Sequence, residues 1–155
     1  MKTLIILPII FALVVTGSFP VYGSQQNNEI TEVTFERKGC NGFCPVDIVA
    51  FHRNSSHTYT GIRYVDRIGS YQADQREYKF DVLVKVLERV NSADLNEDYG
   101  RGTFDAQVIT LRVTRGGKSK IVTSYDPERM PVELVIISSF IENVVPKIRW
   151  KKIVQ

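Results

Sequence analysis

"AQVITLRVTRGGKSKIVTSYD", residues 106–126, decides the fold class. Ile109, Leu111 and Val113 alternate with Val108, Thr110 and Arg112. Gly116-Gly117 interrupts the run, and Ile121, Thr123 and Tyr125 continue it on the far side. Alternation with period two is the mark of a strand with one wet face. Two glycines between two such runs mark the tight turn of a hairpin. The chain therefore builds an antiparallel sheet here, and its neighbours are read on that basis.

Upstream, "ITEVTFERK" puts Val33 and Phe35 on one face and Glu32, Thr34 and Glu36 on the other, a further strand. "VDIVAFHR" and "HTYTGIRYV" are two more, joined through the polar turn "RNSS" into a hairpin. "RIGSYQ" reads as a turn or a short edge strand. Asp74 with Glu77 three residues on resembles a capping box. Phe80, Leu83, Val84, Leu87 and Val90 then recur at helical spacing, predicting a helix from about Gln75 to Val90. Pro131 suits the first turn of a second helix, and Pro146 stops it. Leu134, Ile137, Phe140, Ile141, Val144 and Val145 line that helix, and Val135 with Ile136 widens its apolar arc, so it is expected to be the more deeply buried. The order is βββαββα. The expected fold is α+β: a mainly antiparallel sheet of about five strands with two helices packed on one face.

The first 23 residues, "MKTLIILPIIFALVVTGSFPVYG", have one lysine, an apolar run from Leu4 to Val15 and then small residues. That is the layout of a secretory signal peptide, with cleavage expected after Gly23. The run is shorter than the roughly 20 apolar residues of a spanning helix, and no later stretch is long enough to cross a bilayer. Residues 24–29 read as a disordered polar N-terminus, 30–150 as a single domain and 151–155 as a basic tail. Cleavage removes Lys2 alone among the charged residues, so the net charge of +3 becomes about +2. That balance is too mild to argue for nucleic acid.

Export bears on "RKGCNGFCPVD", residues 37–47, which holds both cysteines. Outside the cytoplasm neighbouring thiols oxidise and stay oxidised, which favours a structural Cys40–Cys44 disulfide. Two alternatives stand beside it. A thiol–disulfide redox pair is weakened by spacing: exchangers usually carry C-x-x-C ahead of a helix, and here a strand follows. A zinc site formed with His52 and His57 has ligands of the right type, but the gap before the first histidine is too short for a finger. The preferred reading of the histidines is two exposed side chains near a hairpin end. No metal and no cofactor are expected.

Two surfaces stand out as candidate binding sites. Tyr59, Arg63 and Tyr64, with Tyr71, Tyr78 and Arg67 nearby in sequence, offer an aromatic and basic hairpin for a glycan or protein. Tyr99, Arg101 and Asp105 lie in a glycine-containing loop where an arginine could grip a carboxylate or phosphate. Asp94, Glu97, Asp98 and Asp105 lack the spacing of a calcium loop. No serine sits in a nucleophile elbow, so a hydrolase is not supported.

"CNGFCPVD" ahead of a strand, Tyr59-Thr60-Gly61 on the next, "Y…TFD" before the fourth strand and a closing tryptophan at Trp150 together resemble a group of bacterial exported domains of unknown function. The resemblance covers about residues 30–150, and its specific element is C-x-G-x-C-P. That group carries a tyrosine where this chain has Asp47. The resemblance implies a compact exported domain and lends no activity to any residue. The combined reading is a small exported, non-catalytic binding module of the cell envelope. Its partner is expected to be a protein or an envelope component. The alternative is a periplasmic thiol–disulfide redox protein using Cys40 and Cys44.

Overall fold

The computed structural model describes residues 28–100 and 105–154. The expected leader at 1–23, most of the polar segment after it and Arg101 lie outside the described residues. Eight strands and two α-helices follow in the order β1 (Ile30–Lys38), β2 (Val46–His52), β3 (His57–Arg63), β4 (Gly69–Ala73), α1 (Phe80–Arg89), β5 (Asp98–Tyr99), β6 (Val108–Arg115), β7 (Lys118–Ser124), α2 (Val132–Val144) and β8 (Lys151–Lys152).

The strands form one sheet in the spatial order β5-β7-β6-β1-β2-β3-β4-β8. All neighbours are antiparallel except β5 and β7, which are parallel. This overturns the expected five-stranded antiparallel sheet with two helices packed on one face: the sheet is larger and mixed. The physical reason is length. β5 and β8 have two residues each and carry no periodicity to read. They sit at the two edges, where they cover part of β7 and β4.

Register explains the core. Val33 faces Phe51 and Val113, and Phe35 faces Val49 and Leu111. Val49 in turn faces Tyr59 and Leu111 faces Val122. Because side chains alternate across a strand, these residues share one face. They merge into one buried cluster with Phe80, Leu83, Val84 and Leu87 of α1 and Leu134, Ile137 and Ile141 of α2. Each large apolar side chain so buried contributes about 2 kcal/mol. At the β6–β7 turn, Gly116 and Gly117 both have positive φ, 54° and 75°. A two-residue turn of this hand demands that backbone, which glycine adopts without steric cost.

Both helices depart from their expected extents or faces. Asp74 does cap, accepting from the Arg76 N–H at 2.9 Å, but the turn it starts is a short 3-10 turn over Gln75–Glu77. The α-helix begins only at Phe80. Glu77 turns outward instead and forms a paired contact with Arg149. In α2 the widened arc does not deepen burial: Val135 and Ile136 are 40% and 45% exposed. No helix among the described residues is long and apolar enough to cross a membrane.

Candidate functional site

Cys40 and Cys44 are joined in a disulfide, with their Cα atoms 5.6 Å apart. The bridge closes the connection between β1 and β2. Inside it the Gly42 N–H donates to the Cys40 carbonyl at 2.9 Å. Next to it the Pro45 carbonyl accepts from the Gln107 side chain at 2.7 Å, which ties the loop to the start of β6. Phe43 projects from the tip and is 87% exposed. Its ring meets Tyr64 edge-on at 5.2 Å, and the Arg63 guanidinium lies over the Tyr64 ring at 5.0 Å. Gly39 makes room for that guanidinium, since a Cβ there would fall 2.6 Å from Nη2. Tyr64 holds φ at 55°, a conformation that costs a bulky residue energy. The result is an aromatic ledge, braced by the disulfide and carrying a positive charge.

Beneath the ledge lies a cleft of about 200 Å³. Arg37 and Asp47 face each other across β1 and β2. Arg37 donates from Nε and Nη2 to the two Asp47 oxygens, both at 2.7 Å. The Tyr59 hydroxyl donates to Asp47 Oδ2 at 3.2 Å. On its other side Arg37 Nη1 lies 3.3 Å from Glu142 Oε1 in the last turn of α2. Burial opposes the charge of Arg37, but hydrogen bonds to Asp47 and the charges of Asp47 and Glu142 outweigh it and raise its pKa. Burial, then the Asp47 carboxylate, push the Tyr59 hydroxyl up. Tyr59 therefore stays protonated as a donor. The remaining walls include Tyr64, Val65, Arg67, Val145 and Pro146.

Gly61 explains the Tyr-x-Gly spacing. It pairs with Asp47 in the register, and the 65–67 segment crosses directly over it. A Cβ at position 61 would overlap the Arg67 carbonyl oxygen. The missing side chain thus lets the wall of the cleft fold down against β3.

Of the sequence-predicted residues, Tyr59, Arg63 and Tyr64 lie together at this end of the sheet. Tyr59 faces the core, with the Trp150 ring 5.6 Å away, while Arg63 and Tyr64 are exposed. Tyr99 and Asp105 do not join them. Tyr99 belongs to edge strand β5, with four strands between it and β3, roughly 24 Å at normal strand spacing. Its hydroxyl accepts from the Asn96 N–H at 2.8 Å, and it lines a separate surface cavity of about 270 Å³. Asp105 is exposed, with φ at 72°.

The histidines are not the exposed pair expected. His57 is fully buried: its Nδ1 accepts from the His52 N–H at 3.1 Å and its Nε2 lies 3.0 Å from the Tyr78 carbonyl. Burial lowers its pKa. His52 is half-buried, 3.3 Å from Glu32. The cysteines precede β2, His52 ends it and His57 opens β3, so the seven residues of β2 separate the two pairs by roughly 20 Å. That distance dissolves the Cys–His zinc arrangement. Among the described residues no three His, Cys, Asp or Glu side chains gather as metal ligands.

Arg37, Asp47, Glu142 and Phe43 were not singled out from sequence as site residues. A signal for two of them was present. Arg37 continues the Val33–Phe35 parity and Asp47 opens the Val49–Phe51 parity. Each places a charge on the core face of its strand, where burial requires a partner.

Neither the curated proteins nor the solved structures contain a significant match. Residues 31–145 match a family described as a domain of unknown function, DUF6438. That stretch spans the disulfide loop, the cleft walls apart from Pro146 and both helices, and the chain belongs to the DUF6438 family.

Proposed function

We propose that this protein is an exported, non-catalytic binding module of the cell envelope. On this reading it holds a protein or envelope component against the ledge formed by Phe43, Tyr64 and Arg63. The observation that carries the reading is Phe43, 87% exposed at the tip of a covalently closed loop and set edge-on against Tyr64. An aromatic side chain in solvent is costly unless something covers it. One that is already held in place loses little entropy when a partner arrives. Aromatic and arginine side chains also dominate binding hot spots. A disulfide fits an oxidising compartment, which supports export.

The test compares wild type with Phe43→Ala for retention on isolated envelope material, split into cell-wall and protein fractions. Thermal unfolding serves as the folding control. Retention in one fraction, lost with Phe43→Ala at unchanged melting temperature, supports the reading. Equal retention of both proteins, or none, overturns it.

A further inference from the structure

We infer that the cleft beneath the ledge is a carboxylate-binding site whose place is held by Glu142. This deepens the reading above, yet it depends on different residues. Phe43→Ala leaves both arginines intact, so either claim can fail while the other stands.

Two arginines, Arg37 and Arg67, line the cleft beside three carboxylates, Asp47, Asp66 and Glu142, of which Asp47 is already held by Arg37. Arg37 spends Nε and Nη2 on Asp47. Among the described residues its Nη1 meets only Glu142, at 3.3 Å, an ion pair without the short contact that the Asp47 side enjoys. Arg67 lines the same cleft, its charge acts on Tyr59, and among the described residues it has no ion pair. Arginine binds carboxylates through its fork of N–H groups, and a half-buried one gains most from the contact. Ile141, Val145 and Pro146 add an apolar wall beside the charge. The space suits a carboxylate that carries a small apolar group.

Glu142 shows that a carboxylate reaches this position. It is also poorly anchored there. The Glu142 side chain is 41% exposed and sits in the last turn of α2, where the helix dipole disfavours negative charge. An incoming carboxylate that takes its place releases Glu142 to water and leaves the Arg37–Asp47 pair untouched.

The probes are N-acetyl-alanine, its uncharged amide, acetate and phosphate, titrated calorimetrically into the intact domain. The expected result is saturable binding of N-acetyl-alanine, with the amide about tenfold or more weaker. Glu142→Gln, an exposed change, is expected to tighten binding about threefold by removing the competitor. Arg67→Gln is expected to weaken it about tenfold. Acetate binding as tightly as N-acetyl-alanine supports the site and assigns it to free organic acids. A clear preference for N-acetyl-alanine supports it and assigns it to peptide chain ends. The proposal is overturned by no binding, by equal binding of acid and amide, by phosphate binding as tightly as the carboxylates, or by a Glu142→Gln affinity that is unchanged or lower.

Discussion

Arg37 and Asp47 are nearly buried charges whose cost is met by each other and by Tyr59. Removing one partner of such a pair strands the other. Asp47→Asn is therefore expected to destabilise the domain by about 3 kcal/mol. The double change Arg37→Met with Asp47→Leu is expected to recover most of that loss, and urea unfolding of the two variants beside wild type reads both values. A double variant less stable than Asp47→Asn would contradict the pairing. Tyr78 poses the opposite case. Its hydroxyl is buried with no hydrogen-bond partner among the described residues, and burial pushes its pKa up to about 12. Tyr78→Phe removes an unsatisfied polar atom and keeps the ring packed on Phe51 at 5.2 Å. Its expected effect is neutral to a gain of about 1 kcal/mol, and a loss of that size would mean the hydroxyl has a partner after all.

At the scale of elements, the disulfide loop and the 65–67 crossing shape the site between them. Gly61→Ala drives a methyl group into the Arg67 carbonyl. The overlap is with backbone, so the crossing segment must move. The expected outcome is a loss of about 2–3 kcal/mol, with amide chemical shifts changing most at residues 64–67. A stable variant with unchanged shifts would remove the role given to this glycine. The same scale shows what the sequence reveals. The β6–β7 hairpin is legible because eight- and seven-residue strands repeat their alternation around Gly116-Gly117. β5 and β8 are illegible because two residues have no period. Asp74 and Glu77 look like the start of α1, yet the cap serves a separate turn, a distinction made by backbone geometry and not by residue type. Arg37 and Asp47 were readable from strand parity. Glu142 was not, because only the packing of α2 onto the sheet brings it to Arg37.

For the molecule as a whole, the buried His57 ties stability to pH. Burial lowers its folded-state pKa below the ordinary 6.5. Above that value the histidine is neutral in both folded and unfolded chains, and stability is at its full level. As pH falls below about 6.5, the unfolded chain takes up a proton that the folded one resists, so stability declines. Asp74 is held at about 2, first by its side-chain hydrogen bonds from Arg76, but its own loss begins only below the ordinary 3.8. The two windows are distinct. Unfolding free energy is therefore expected to drop between pH 7 and pH 5, and His57→Gln is expected to flatten that drop. An unchanged slope in the variant would assign the effect elsewhere.

The covalent clasp underlies the ledge, because Phe43 is held against Tyr64 by a loop of five residues that Cys40 and Cys44 close. The bridge is worth about 2 kcal/mol for so short a loop, and its larger consequence is local order at the tip. Alkylation of protein isolated from its own compartment, followed by mass spectrometry, tests this most directly. The account predicts that neither cysteine takes up reagent until a reductant is added. Two thiols labelled in the untreated protein would contradict it.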